Sequence, residues 1–203
     1  MPSWLDIRIQ LTGLRRLTRE LGWMRAVQVG IAAQRGGDAF AALGPAQDDQ
    51  DAASRAQLAP AIALYRALRL HLDAEESLRV AGAVIHDASL RFLEHAIGEV
   101  DLERYRASTP NHRRAYLQGI MEQFVNADAR IEVADEEGFV QVVTRCRFVE
   151  LCRAAGVPEL APAFCAGDLA FFSRGPVRLD RPGTLAEGAD ACEFRFSLRG
   201  EGG

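Results

Sequence analysis

An α+β fold is predicted for this chain: a helical first half followed by a β-β-α-α-β-β unit whose helices cover one face of an antiparallel sheet. Three observations carry that reading. Apolar residues recur at helical spacing through the first half. Near Ala129 the period changes to two. Two turn-rich segments, "DEEG" and "PGTLAEGADA", are each flanked by alternating apolar and polar residues. One domain, 1–203, is expected, with a mainly helical part at 1–127 and an α+β part at 128–199. No internal repeat is visible.

From Leu5 to about Ala33, Leu11, Leu14 and Leu21 fall on one helical stripe with arginines between them. "QRGGDAFAALGPAQDDQDAAS" breaks that pattern and reads as a loop, with helix resuming near Ser54. Asp73 followed by Glu76 has the spacing of a capping box, and the apolar stripe after it stops at Gly98. A short helix is expected after Pro110. "ARIEVADEEGFVQVVTRC" reads as a hairpin. Helices then run from about Cys146 to Ala155, stopping at Gly156, and onward from Pro158, whose fixed φ suits a first turn. "PVRLDR" and "CEFRFSL" close the chain as a second antiparallel pair.

Composition narrows the function. The 203 residues are 48% hydrophobic and can bury a real core. A net charge of -4 gives no general attraction to nucleic acid, and "LRRLTR" fits a solvated helix face. No apolar run approaches the roughly 20 residues of a membrane helix. The opening "MPSWLDIRIQLTGLRRLTREL" lacks a signal-peptide pattern, so a cytoplasmic location is expected. Every basic residue is arginine, which removes lysine Schiff-base and lysine general-base chemistry. Cys146, Cys152, Cys165 and Cys192, at uneven spacings, read as reduced thiols.

The candidate chemistry sits in the last third. Cys165 and Asp168, three residues apart, project from neighbouring positions on one helix face. On the last strand Cys192, Phe194 and Phe196 share one side, while Glu193 and Arg195 share the other. If the helix packs on that aromatic side, two thiols and a carboxylate line one pocket. Packing is the ordinary use of a buried cysteine. A carboxylate on an apolar face, however, needs a partner or a cavity.

Two uses fit the trio. A thiolate attacks an electrophilic carbon while the carboxylate moves protons, although a nearby carboxylate raises a thiol's pKa. Alternatively the groups ligate zinc, but their spacings match no common zinc motif, and neither metal nor cofactor is expected. His86 shares a stripe with Leu90, Leu93 and Ile97 and is the candidate general base, set against an ordinary hydrogen-bonded histidine at the core boundary. Arg145, Arg147 and Arg153 crowd around Cys146 and Cys152. Arg145 is the candidate for holding a substrate carboxylate, with a plain surface role as its alternative.

"CRFVELCRAAGVPELAPAFCAGDLAFF" followed by "RPGTLAEGADACEFRF" resembles the carboxy-terminal half of the L-2-amino-thiazoline-4-carboxylic acid hydrolase family. The likeness covers roughly residues 129 to 198. Its pattern falls on Cys146, Pro158, Cys165, Asp168, Thr184, Gly188, Asp190, Cys192 and Phe194, with Glu193 where the family more often has aspartate. The resemblance implies hydrolytic opening of a 2-aminothiazoline ring to a carbamoyl-cysteine. Water or a cysteine would attack the amidine-like carbon, with Asp168 binding the amidinium or orienting water and an arginine holding the carboxylate. Cys146, Cys192 and Phe194 would line the substrate pocket. Cyclic amidines and related C-N substrates are the breadth it implies.

"AEGADACEFRF" is also similar to the end of the vinyl-4-reductase type of small-molecule-binding domain, in which a pocket senses a ligand and no bond is broken. A third reading is a noncatalytic partner protein, since the leucine-rich first helix is compatible with a homodimer. A small molecule is the expected partner, with neither nucleic acid nor membrane.

Overall fold

The computed structural model describes residues 4–98 and 100–198. It is α+β, with a helical first half and then strands and helices around a four-stranded antiparallel sheet. The first half comprises α1 (Trp4–Leu21), α2 (Trp23–Arg35), α3 (Asp49–Leu68), α4 (Ala74–Ala96), α5 (Leu102–Ala107) and α6 (Pro110–Met121). The second half runs β1 (Ala127–Ala134), β2 (Gly138–Cys146), α7 (Arg147–Ala154), α8 (Ala161–Ser173), β3 (Val177–Asp180) and β4 (Cys192–Leu198).

Three boundaries differ from the sequence reading, each for a local reason. The first amphipathic stretch is two helices, because Gly22 takes φ +73° and turns the chain. Helix α3 begins at Asp49, five residues before Ser54 (54 − 49), because Asp48 caps the Asp51 amide at 2.7 Å and the acids of "DDQD" suit a helix N-terminus. The short helix α5 is capped by Asp101, which accepts from the Arg104 amide at 2.9 Å. It has six residues, too few for an apolar period to show. The Asp73 cap is present, its carboxylate accepting from the Glu76 amide at 2.8 Å.

The strand order is β1-β2-β4-β3. The two expected pairs are joined through β2 and β4, with Phe139 opposite Phe196 and Val143 opposite Cys192. Asp135 closes the first hairpin by accepting from the Glu137 and Gly138 amides.

Apolar packing forms two clusters. The larger joins α1 to α4 with α7 and α8, and its Leu58, Ile62, Leu68, Val80 and Leu160 are fully buried. Each such side chain contributes about 1.5–3 kcal/mol relative to exposure. The smaller holds Tyr105 and Leu117 against Ile131 of β1, with Phe139 and Leu198 beside it. Members of both clusters wall a cavity between the helical half and the sheet. Among the described residues, no helix is long and apolar enough to cross a membrane.

Candidate active site

The cavity measures about 790 Å³. Strand alternation supplies one wall: Cys192, Phe194, Phe196 and Leu198 of β4 line it, as do Phe139, Gln141 and Val143 of β2. Helix α8 supplies Phe164, Cys165, Asp168 and Phe172, and α4 supplies Val84, Ile85, Ala88, Ser89 and Phe92. Stacking of Phe139 on Phe196 at 4.2 Å and the edge contact of Phe172 with Phe196 at 4.9 Å pack the aromatic wall.

The close approach of α8 to α4 depends on Gly167. A Cβ there would meet the Ser89 Cβ at 2.5 Å, inside any real contact distance. Glycine at this position lets α8 approach α4 closely.

Cys165, Asp168, Cys192, Cys146 and Phe194 all line this one cavity. Three of them are contacted by Arg181, from the loop after β3. Its Nη1 donates to Asp168 Oδ2 and to the Cys165 carbonyl, both at 3.1 Å. Its guanidinium carbon lies 5.4 Å from the Phe194 ring centroid, and the side chain is only 6% exposed. Thus one arginine ties the loop after β3 to α8 and covers the aromatic floor. Sequence reasoning missed it; "DRPGT" reads only as a turn, and nothing in its spacing points thirteen residues back to Asp168 (181 − 168).

His86 and Arg145 lie outside the cavity lining. Leu93 and Ile97 of its stripe line the cavity but His86 does not, and its Nδ1 lies 3.2 Å from Asp87 Oδ1. The expected general base therefore does not reach the thiols. Arg145 is bound bidentately by Glu150 at 2.8 and 2.9 Å, one turn into α7, and is solvent-exposed. Arg147 is buried instead of surface-placed and donates to Asp128 at 2.8 Å. Cys152 is fully buried in the larger cluster, where burial pushes its thiol up to about 12.

Burial governs the ionisation of the site. It pushes the Cys165 thiol up to about 12, the Asp168 carboxylate adding to the shift and Arg181 opposing it. Cys192 is also raised by burial, against the Leu185 amide that donates to its sulfur at 3.2 Å. Asp168 is raised to about 6 by burial, with Arg181 holding it down. At neutral pH the cavity thus presents uncharged thiols and a carboxylate largely ionised beside a fixed guanidinium. A carboxylate with that pKa suits proton transfer near neutrality. Cys146 adds a third sulfur, 3.9 Å from Asn126 Nδ2. Among the described residues no group of three or more His, Cys, Asp and Glu side chains is arranged to hold a metal ion.

No match to this chain is found among curated proteins or among solved structures. The family described as L-2-amino-thiazoline-4-carboxylic acid hydrolase matches residues 52–196, a span holding most of α3, all of α4 to α8 and nearly the whole sheet, with every cavity group named above that carries a thiol or carboxylate. The chain belongs to the L-2-amino-thiazoline-4-carboxylic acid hydrolase family.

Proposed function

We propose that the protein hydrolyses the C=N carbon of a cyclic amidine of the aminothiazoline class, giving a carbamoyl-cysteine-like product. The observation that carries this reading is the placement of Asp168, poised near neutrality, with Cys165 and Cys192 in the lining of one largely apolar cavity. The family's name supports the reaction type.

In this mechanism Asp168 binds the amidinium and takes a proton from the attacking water. Oxygen adds to the amidine carbon, and the tetrahedral centre collapses with cleavage of a bond from that carbon to a ring heteroatom. Asp168 returns its proton to the leaving heteroatom, and the hydroxyl proton of the tetrahedral centre passes to solvent in place of the one the amidinium brought, so the net change from the neutral amidine is the gain of one water. Arg181 orients the carboxylate and keeps it ionised. Cys165 and Cys192, held as thiols, shape the space around the reacting carbon. Direct attack by Cys165 would first require removal of a proton held at about 12, a far poorer starting point than water activated by an ionised carboxylate.

Mass-spectrometric turnover of 2-aminothiazoline-4-carboxylate tests the proposal, with Asp168→Asn and Cys165→Ala in parallel. Wild type should add one water, Asp168→Asn should lose about 10²–10⁴-fold in rate, and Cys165→Ala should lose less. Complete loss in Cys165→Ala with a covalent adduct on wild type would replace water with the thiol as nucleophile. The uncharged thiols also favour a second reading, a ligand-binding protein without turnover. Under that reading the amidine raises thermal stability and is recovered unchanged.

A further inference from the structure

The aminothiazoline class carries a carboxylate, and the described lining holds no arginine to receive it. Arg145, the sequence candidate, lies outside the lining, and Arg181 directs its Nη1 to Asp168 and the Cys165 carbonyl. A carboxylate taken out of water needs hydrogen-bond donors, which leaves the neutral polar groups of the lining. Several of these are engaged: the Tyr105 hydroxyl donates to the Gly138 carbonyl at 3.1 Å, and Asn126 Nδ2 lies 3.9 Å from Cys146 Sγ. Gln10, Gln57 and Tyr116 are solvent-exposed. Ser89 is wedged at the contact of α4 with α8, its Oγ 3.3 Å from where a Gly167 Cβ would stand. The Gln141 carboxamide remains, half-buried and without a hydrogen-bond partner among the described residues.

Its place in the sheet is unusual. Alternation along β2 turns Phe139, Gln141 and Val143 to the cavity, and Gln141 is the only oxygen- or nitrogen-bearing side chain that the strands put into the described lining. An amide thus stands where the period calls for an apolar residue. Gln141 pairs in register with Phe194 of β4, and side chains directly opposite on one face of an antiparallel pair are neighbours. The Phe194 ring centroid lies 5.4 Å from the Arg181 guanidinium carbon, and Arg181 holds Asp168 at 3.1 Å. Phe194 and Arg181 therefore connect Gln141 to Asp168.

We propose that Gln141 sets the specificity of the site for amidines bearing a carboxylate: its Nε2 donates to that carboxylate while Asp168 takes the amidinium, with the ring lying over Phe194. This rests on the assignment of the Asp168 cavity as the amidine site and names the residue that reads the other end of the ligand.

The test compares 2-aminothiazoline-4-carboxylate, its 4-carboxamide and the ring bearing neither group on the full chain, in wild type, Gln141→Leu and Gln141→Glu. Each ligand is read as kcat/KM where the ring is opened and as Kd by calorimetric titration where it is not, so loss of the hydrolase reading leaves the comparison intact. Wild type should favour the acid over the bare ring by about tenfold or more, the contribution of a hydrogen bond to a charged group. Gln141→Leu should bring that ratio close to one. Gln141→Glu should reverse the order of acid and carboxamide, since a second carboxylate repels the acid but accepts from the amide. A wild type that does not distinguish the acid from the bare ring, or a ratio unchanged in Gln141→Leu, would overturn the proposal; should the leucine variant not fold, an unreversed order in Gln141→Glu does the same. A wild type that neither binds nor opens any of the three would overturn it together with the amidine assignment.

Discussion

Asp168 is the base in the proposed mechanism, and its ionisation has a consequence for stability. Its proton is held more tightly in the folded chain, where burial raises the carboxylate from 3.8 to about 6, than in the unfolded one. Between those values the native state carries the extra proton, so its contribution to stability is fully present below the ordinary carboxylate range. It is lost as pH rises through about 6. The loss amounts to up to about 3 kcal/mol. Urea denaturation from about pH 4 to about pH 7 should show wild type losing this increment relative to Asp168→Asn; parallel curves for the two proteins would refute the burial of Asp168. Arg181 opposes the shift, so Arg181→Met should move the apparent pKa of Asp168 further up, measurable by carboxyl-specific NMR titration. It should also cost on the order of 2 kcal/mol at neutral pH through the lost charge-assisted hydrogen bonds. An unchanged Asp168 titration would show that the ion pair does not form in solution.

At the scale of elements, α8 is the component whose placement matters most. Gly167 lets it approach α4, and the atom in the way of any side chain is the Cβ of Ser89, which has no rotamer to escape through. Gly167→Ala should therefore destabilise by about 1–3 kcal/mol. Ser89→Gly in the same chain should recover part of that loss, a coupling readable in a double-mutant cycle by denaturation; additive effects would contradict the close approach. Much of this level was legible in the sequence. The i,i+3 spacing put Cys165 and Asp168 on one face, and alternation grouped Cys192, Phe194 and Phe196, all of which line the cavity. The less legible elements were governed by single residues rather than by period. Gly22 divides the first helical stretch, Asp48 advances the start of α3, and Asp101 caps a six-residue helix.

At the scale of the molecule, the helical half and the sheet do not close into one continuous core; they leave a chamber between two apolar clusters. The extent of that chamber was not legible, because it is lined by residues of α1, α3, α4 and strands far apart in the chain. For the same reason two groups read from the sequence as site residues lie outside the lining. His86 shares an apolar stripe but pairs with Asp87 outside the lining, and Arg145 adjoins Cys146 in sequence but is held by Glu150. Arg181 reaches the site only because β3 pairs with β4 and its following loop folds back over α8. In the proposed mechanism ring opening depends on an ionised Asp168, so the most direct measurement is the pH dependence of kcat/KM for an aminothiazoline, in wild type and Asp168→Asn, from about pH 5 to about pH 8. Wild type should rise through an apparent pKa of about 6 and level off, with the variant at least about a hundredfold lower and lacking that limb. A profile flat through this range, or a variant as fast as wild type, would contradict the assignment of Asp168 as the base.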